Sequence, residues 1–149
     1  MTYQTAPAPS ALKSLIGPVV APHAMDLTQP LNLIRIAAGL FYLPHILFKL
    51  QGIEGSLAFF AKAGLTPAPL FLGLALVVEA AACVGLTFGL FLRWTGLMSA
   101  GCMAVAAYAV FATKGVGWLW NMGGVEYLAM WALVSLALSL SAWKSPAKA

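Results

Sequence analysis

The sequence predicts an all-α protein, an integral membrane four-helix bundle with a Pro-rich N-terminal tail. Hydrophobic residues make up 62% of its 149 residues and charged residues only 8%. In soluble domains roughly a quarter of all residues are charged. The mean hydropathy is +0.91. Four apolar stretches are each close to the about 20 residues that a helix needs to cross a bilayer. Lipid is therefore the expected main solvent.

The four predicted spans cover residues 31–50, 69–92, 94–112 and 122–142. Unpaired backbone groups are costly in lipid, and these stretches do not show the alternating pattern of a membrane barrel, so each is expected to be a helix. The spans form one predicted domain, residues 31–142, with a short cytoplasmic tail at residues 143–149.

Residues 1–30 form the predicted Pro-rich tail. Pro18 splits its one apolar run, which argues against a cleaved signal peptide. We expect this tail at the membrane surface or against a partner. The cations on the side of the two termini are Lys13, Arg93, Lys144 and Lys148, and those on the other side are Lys49, Lys62 and Lys114. This count of four against three predicts that both termini are cytoplasmic.

The low charge also limits the classes of function. Eight cations against four acids give a net charge of +4, but the cations are scattered and form no basic stripe. This pattern argues against a nucleic-acid-binding module and against a soluble enzyme. The expected partners are the lipid bilayer and either a larger membrane protein complex or further copies of the chain.

The large polar groups of the first span lie on one face of the helix. At 100° per residue, Arg35, Tyr42, His45 and Lys49 project within an arc of about 80°. Charged groups are costly against lipid, so this face should look into the bundle or a wet cavity. Pro44 has no N–H to donate to the carbonyl of Leu40, which predicts a kink next to His45.

Two acids within the spans could form ion pairs with these groups. From their depths we expect Arg35 to pair with Glu79, and Lys49 or His45 to pair with Glu126. Such pairs could serve a functional site or could only fix the register of the helices. Only one histidine lies within the spans, so no metal or haem site is expected within the chain.

A tight turn around Leu92 and Arg93 predicts how the second and third spans pack. It brings two stripes of small residues into register, and small residues let membrane helices approach closely. This helix-packing seam consists of Ala81, Gly85 and Gly89 against Gly96, Ala100 and Ala104. The same turn would place Cys83 and Cys102 at the same depth in the bilayer. They could form a redox pair, but the absence of a Cys-x-x-Cys spacing favours two small apolar residues.

Three segments resemble the DoxX family of small bacterial four-helix membrane proteins: IRIAAGLFYLPHILFKL, LGLALVVEAAACVGLTFGLFLRW and GGVEYLAMWAL. The shared features are Arg35 with Gly39, the spacing of His45 and Lys49, Glu79, the turn from Gly89 to Arg93, and Gly124 with Glu126. The sequence departs from the family at Ile46, where a Gly is frequent, and at residues 140–143, where a Gly-rich segment is frequent. The resemblance implies a bacterial inner-membrane subunit associated with redox systems, such as the subunit of thiosulfate:quinone oxidoreductase.

Three functions follow as hypotheses. The first is a membrane subunit of a redox complex with a quinone or small-substrate pocket, in which quinone is the candidate cofactor and the chain holds no other. The candidate binding residues are Arg35, Tyr42, His45, Lys49, Glu79 and Glu126. The second is a non-catalytic accessory subunit that docks on a larger complex. The third, a small-solute carrier, has less support because no internal repeat relates the two halves.

Overall fold

The described part of the chain, residues 11–144 of a computed structural model, is helical and contains no strand. The helices are α1 (Ala11–Ile16), α2 (Pro30–Leu40), α3 (Tyr42–Gln51), α4 (Ile53–Lys62), α5 (Ala68–Phe88), α6 (Leu92–Lys114) and α7 (Glu126–Lys144). One 3-10 turn, Trp120–Met122, lies between α6 and α7. The C-terminal residues 145–149 and the first ten residues lie outside the described range.

Four segments are long and apolar enough to cross a membrane. They are Pro30–Gln51, Ala68–Phe88, Leu92–Lys114 and Glu126–Lys144. Each lies within a few residues of a predicted span, which confirms the all-α membrane bundle. The largest differences are four residues each: the second span ends at Phe88 rather than at residue 92, and the fourth begins at Glu126 rather than at residue 122.

The first span is broken where its proline predicts a disruption. Helices α2 and α3 meet at Phe41, three residues before Pro44. The N–H of Phe41 still donates to the carbonyl of Ala37 at 3.0 Å, but the carbonyl of Leu40 receives no N–H from Pro44. The break leaves Arg35 and Tyr42 buried, with 1% and 2% of their surfaces exposed.

Helix α4 was not predicted, because its residues fall between the first two predicted spans. Its ten residues extend only about 15 Å, too short to cross a bilayer. Ser56 and Phe60 are each 8% exposed, so one side of the helix is buried, and α4 packs mainly on α5. This packing makes α4 one wall of the bundle.

The turn between α5 and α6 is not centred where it was predicted, and the predicted helix-packing seam is therefore wrong. Gly89 and Phe91 adopt left-handed φ angles of 71° and 45°, so the turn is centred on Leu90. The pairing of the two helices is therefore shifted: a Cβ on Gly85 would lie 2.4 Å from Cγ2 of Thr95 and not beside Ala100.

The other members of the seam do not meet across α5 and α6 either. Ala81 and Ala104 are exposed. Gly96 faces α7, where a Cβ would lie 2.8 Å from the carbonyl oxygen of Ser135. Helix α6 packs more extensively on α7 than on α5. Small residues thus permit close approach, as expected, but on a different pair of helices.

Serines connect the buried faces of α6 and α7. Ser99 Oγ lies 2.7 Å from the hydroxyl of Tyr42 and 2.7 Å from Ser135 Oγ. One turn further along, Ser139 Oγ donates to the carbonyl of Arg93 at 2.6 Å. The first span is thereby joined to α6 and α7 by hydrogen bonds within the core.

The segment before α2 packs against the bundle of its own chain. The N–H of Ala21 donates to the carbonyl of Gly89 at 2.9 Å, and the N–H of Phe91 donates to the carbonyl of Val19 at 2.8 Å. The guanidinium of Arg93 donates to the carbonyl of Ser14. Residues 14–24 of the predicted tail therefore cover the turn between α5 and α6.

A pH effect is expected from Asp26, which lies before the first span. Its carboxylate accepts hydrogen bonds from the hydroxyl of Thr28 at 2.6 Å and the N–H of Thr28 at 3.0 Å. These bonds, the hydroxyl first, hold the pKa of Asp26 below its ordinary value of 3.8. Because the folded-state pKa is lowered, the stabilisation is fully present above pH 3.8 and is lost as the pH falls through the folded-state value.

Thermal unfolding of Asp26→Asn in acid checks this expectation. The wild-type midpoint should fall more steeply than that of the variant below about pH 4. Equal slopes in the two proteins would contradict a role for Asp26.

Candidate functional site

One ion pair lies inside the bundle. Nζ of Lys49, in the last turn of α3, is 2.7 Å and 2.9 Å from the two carboxylate oxygens of Glu79 in the middle of α5. The side chains are 18% and 9% exposed. Between residues 11 and 144 it is the only salt bridge. The charges that the sequence places within the spans are thus partly neutralised by one close contact.

The ion pair lies in the wall of a large cavity bounded by α3, α4, α5 and α6. The cavity has a volume of about 900 Å³. Most of the side chains that line it are apolar, and four are aromatic: Phe48, Phe59, Phe60 and Phe71. The polar or ionisable side chains in its lining are His45, Lys49, Ser56, Glu79 and Cys102. The site is therefore a largely apolar cleft with a small polar region, and it is open on the side where Phe48 is 75% exposed.

The predicted pair of Arg35 with Glu79 is wrong. Arg35 donates to the carbonyl of Thr87 at 2.8 Å and also to those of Leu86 and Ala24. Helix α5 runs antiparallel to the first span, so Arg35 meets its C-terminal end. The partial negative charge of that helix end attracts a cation. Glu79 instead forms its ion pair with Lys49.

The predicted pair of Lys49 or His45 with Glu126 is also wrong. Glu126 is the first residue of α7 and accepts the N–H of Trp120 at 3.2 Å. An acid at a helix N-terminus is stabilised by the partial positive charge there. Glu126 therefore has a local role at the start of α7 and is absent from the cavity lining.

Three of the six predicted binding residues line the cavity: His45, Lys49 and Glu79. Tyr42 lies behind the lining, buried and bonded to Ser99, within electrostatic range of Glu79. Arg35 and Glu126 lie elsewhere. His45 is exposed. It lies at the edge of the arc that carries Arg35, Tyr42 and Lys49, away from the buried side of the helix.

The two cysteines are free thiols with different surroundings. Cys102 lines the cavity and lies within electrostatic range of Glu79 and Lys49. Cys83 lies on α5, where its carbonyl faces Gly39 of α2. With the turn centred on Leu90, the shared depth inferred from a turn at Leu92 no longer applies.

The family of the chain follows from its sequence match. The DoxX family model matches residues 31–112, more than half of the chain. The chain belongs to the DoxX family. Comparisons with curated proteins and with solved structures give no match. In this DoxX protein every cavity-lining residue except Leu128 falls within the matched segment, so the DoxX domain itself contains the cavity.

The aromatic wall of this DoxX domain was not anticipated. Phe59 and Phe60 lie on α4, in the segment between the first two predicted spans. A signal was present: Ser56, Phe60 and Ala63 recur at helical spacing and are the buried positions of this segment. Helical periodicity within a short segment between spans therefore indicates this helix.

Proposed function

We propose that this DoxX protein is the membrane subunit of a redox complex and that its cavity binds a quinone. One observation carries the proposal: a largely apolar cavity of about 900 Å³ whose lining includes the Lys49 and Glu79 ion pair. Ligand pockets commonly enclose about 300 to 1,000 Å³ and combine apolar walls with a few polar groups that orient the ligand.

The residues present fit a quinone ring. Such a ring is flat and largely apolar, which suits walls made by Phe48, Phe59 and Phe71. Its carbonyl oxygens require hydrogen-bond donors. An ammonium has three N–H groups, and Lys49 directs its Nζ at two oxygens of Glu79, so one donor remains for a carbonyl at the cavity wall.

In this proposal the chain contributes binding and proton delivery. Reduction of a quinone to a quinol consumes two electrons and two protons. Glu79 and His45, both in the cavity lining, are the groups able to carry protons, while Lys49 orients the carbonyl. The electrons come from a partner subunit of the proposed complex.

A cavity-filling variant tests the binding step. A Cβ on Gly101 would meet nothing within 4 Å, and Gly101 lines the cavity, so Gly101→Leu should fill space without disturbing the walls. We expect it to weaken binding of a short-chain ubiquinone analogue by about tenfold or more, measured by fluorescence quenching in detergent.

Gly73→Leu is the matched control. Gly73 also has open space around its Cβ position but lies outside the cavity lining. Binding by Gly73→Leu should equal that of the wild type. Equal binding by all three proteins, or no binding by the wild type, would contradict the quinone site.

An accessory role without chemistry is the second candidate. The loop between α6 and α7 exposes large apolar side chains, with Val116 93% and Met122 81% exposed, as a docking surface requires. Extraction in mild detergent distinguishes the two functions. A stoichiometric protein partner with no bound quinone would favour docking, and quinone retained by the isolated chain would favour binding.

The orientation is part of the same proposal. We place the chain in the bacterial inner membrane with both termini in the cytoplasm, because the cations favour that side by four to three. A C-terminal fusion to a fluorescent protein that matures only in the cytoplasm should fluoresce. A dark fusion of equal abundance would reverse the orientation.

A further inference from the structure

A second cavity lies at the opposite end of the bundle from the Lys49 and Glu79 pair. It has a volume of about 230 Å³. Arg35 lines it and precedes Lys49 by 14 residues along the first span, or about 21 Å of helix. The walls come from the segment before α2, the first two turns of α2, the first turn of α6, and the end of α7. It is therefore independent of the proposed quinone site.

Two buried guanidinium groups line this cavity. Arg35 is 1% exposed and Arg93 is 6% exposed. Both groups donate to backbone carbonyls, and the guanidinium of Arg93 also lies 4.6 Å from the ring centre of Trp143. Nε of Arg35 has no hydrogen-bond partner, and neither group forms a salt bridge with a carboxylate between residues 11 and 144. Buried charge without an opposite charge is costly.

Helix ends add positive potential to the same place. Leu31 and Leu92 lie in the first turns of α2 and α6, and both line the cavity. The N-terminus of a helix carries a partial positive charge and favours anions. The C-terminal end of α7 acts oppositely, but Nε of Arg93 already donates to the carbonyl of Ala142 there at 3.1 Å.

We propose that this cavity binds a phosphate group, supplied by an anionic phospholipid headgroup or by a free phosphate. The two guanidiniums match phosphate oxygens in charge and geometry. Leu31 is 53% exposed beside the cavity and offers an apolar contact for a lipid. The cavity is smaller than typical ligand pockets, so it accommodates a headgroup rather than a whole lipid.

Native mass spectrometry and thermal unfolding of the purified full-length protein test the site. In neutral detergent we expect phosphatidylglycerol to bind about tenfold more tightly than phosphatidylcholine of the same acyl chains if the source is a lipid. If the source is soluble, inorganic phosphate should raise the unfolding midpoint relative to chloride at equal ionic strength. Failure of both measurements would overturn the proposal.

A charge-matched pair of variants locates the effect. Gln29 is exposed and lines the cavity, so Gln29→Glu adds a negative charge there without removing a buried contact. Lys144→Gln changes the net charge equally at an exposed position outside the lining. Gln29→Glu should weaken phosphate or lipid binding by about tenfold while Lys144→Gln leaves it unchanged. Equal effects of both variants would overturn the site.

Discussion

Replacement of Lys49 by Met is expected to lower the free energy of unfolding by about 3 to 5 kcal/mol, the usual cost of breaking a buried ion pair. The substitution retains most of the side-chain volume but removes the cation 2.7 Å from Glu79. Glu79, with its side chain 9% exposed, then lacks its charge partner within the bundle. An unpaired carboxylate in a membrane interior is unfavourable.

The double variant Lys49→Met with Glu79→Gln distinguishes the effect of the charges from the effect of side-chain volume. It removes both charges at nearly constant volume, so most of the stability should return. Lys62→Met is the control, because Lys62 is exposed at the end of α4. Unfolding followed by tryptophan fluorescence in mixed micelles measures all four proteins. A single variant as stable as the control would mean that the pair contributes nothing.

Gly39→Ala is expected to cost about 1 to 3 kcal/mol through overpacking. A Cβ at this position would lie 2.5 Å from Oγ1 of Thr87 and 2.6 Å from its backbone nitrogen. The hydroxyl can rotate away, but the backbone nitrogen belongs to α5 and cannot move independently. Helix α2 would have to shift outward, which disturbs the hydrogen bonds between Arg35 and the end of α5.

Gly73→Ala supplies the matched comparison for this second substitution. Both glycines lie within helices, so both variants gain the same intrinsic helix propensity, about 0.5 to 1 kcal/mol. Only Gly39 has close neighbours, because nothing lies within 4 Å of a Cβ at Gly73. Gly73→Ala should be neutral or stabilising in the same unfolding measurement. Equal stability of the two variants would show that α2 and α5 have room to relax.

The fold was predictable because membrane spans are encoded locally. Mean hydropathy and length alone locate the four spans, and the seven-residue spacing of Arg35, Tyr42 and Lys49 predicts that these three share a face. All three are at least partly buried. Helix α4 was missed because its ten residues mix apolar side chains with Glu54 and Lys62, and short amphipathic segments carry a weak signal.

The partners of the charges were not predictable by the same reasoning. Depth along a helix pairs Arg35 with Glu79 only if the register of the neighbouring helix is known. That register depends on the connection between the first span and α5, which contains the helix α4 that was not predicted. Nor does a count of opposite charges show that a guanidinium can instead bind the carbonyls at a helix end, as Arg35 does.

The segment that covers the turn between α5 and α6 shows that the unit of sequence similarity is smaller than the unit of folding. The family match covers residues 31–112. Ser14 and Ala24 precede it, and Ala142 follows it, yet their carbonyls accept hydrogen bonds from Arg93 or Arg35 within the matched segment. A fragment cut at the family boundaries would leave both guanidiniums without these acceptors, so expression fragments should retain both flanks.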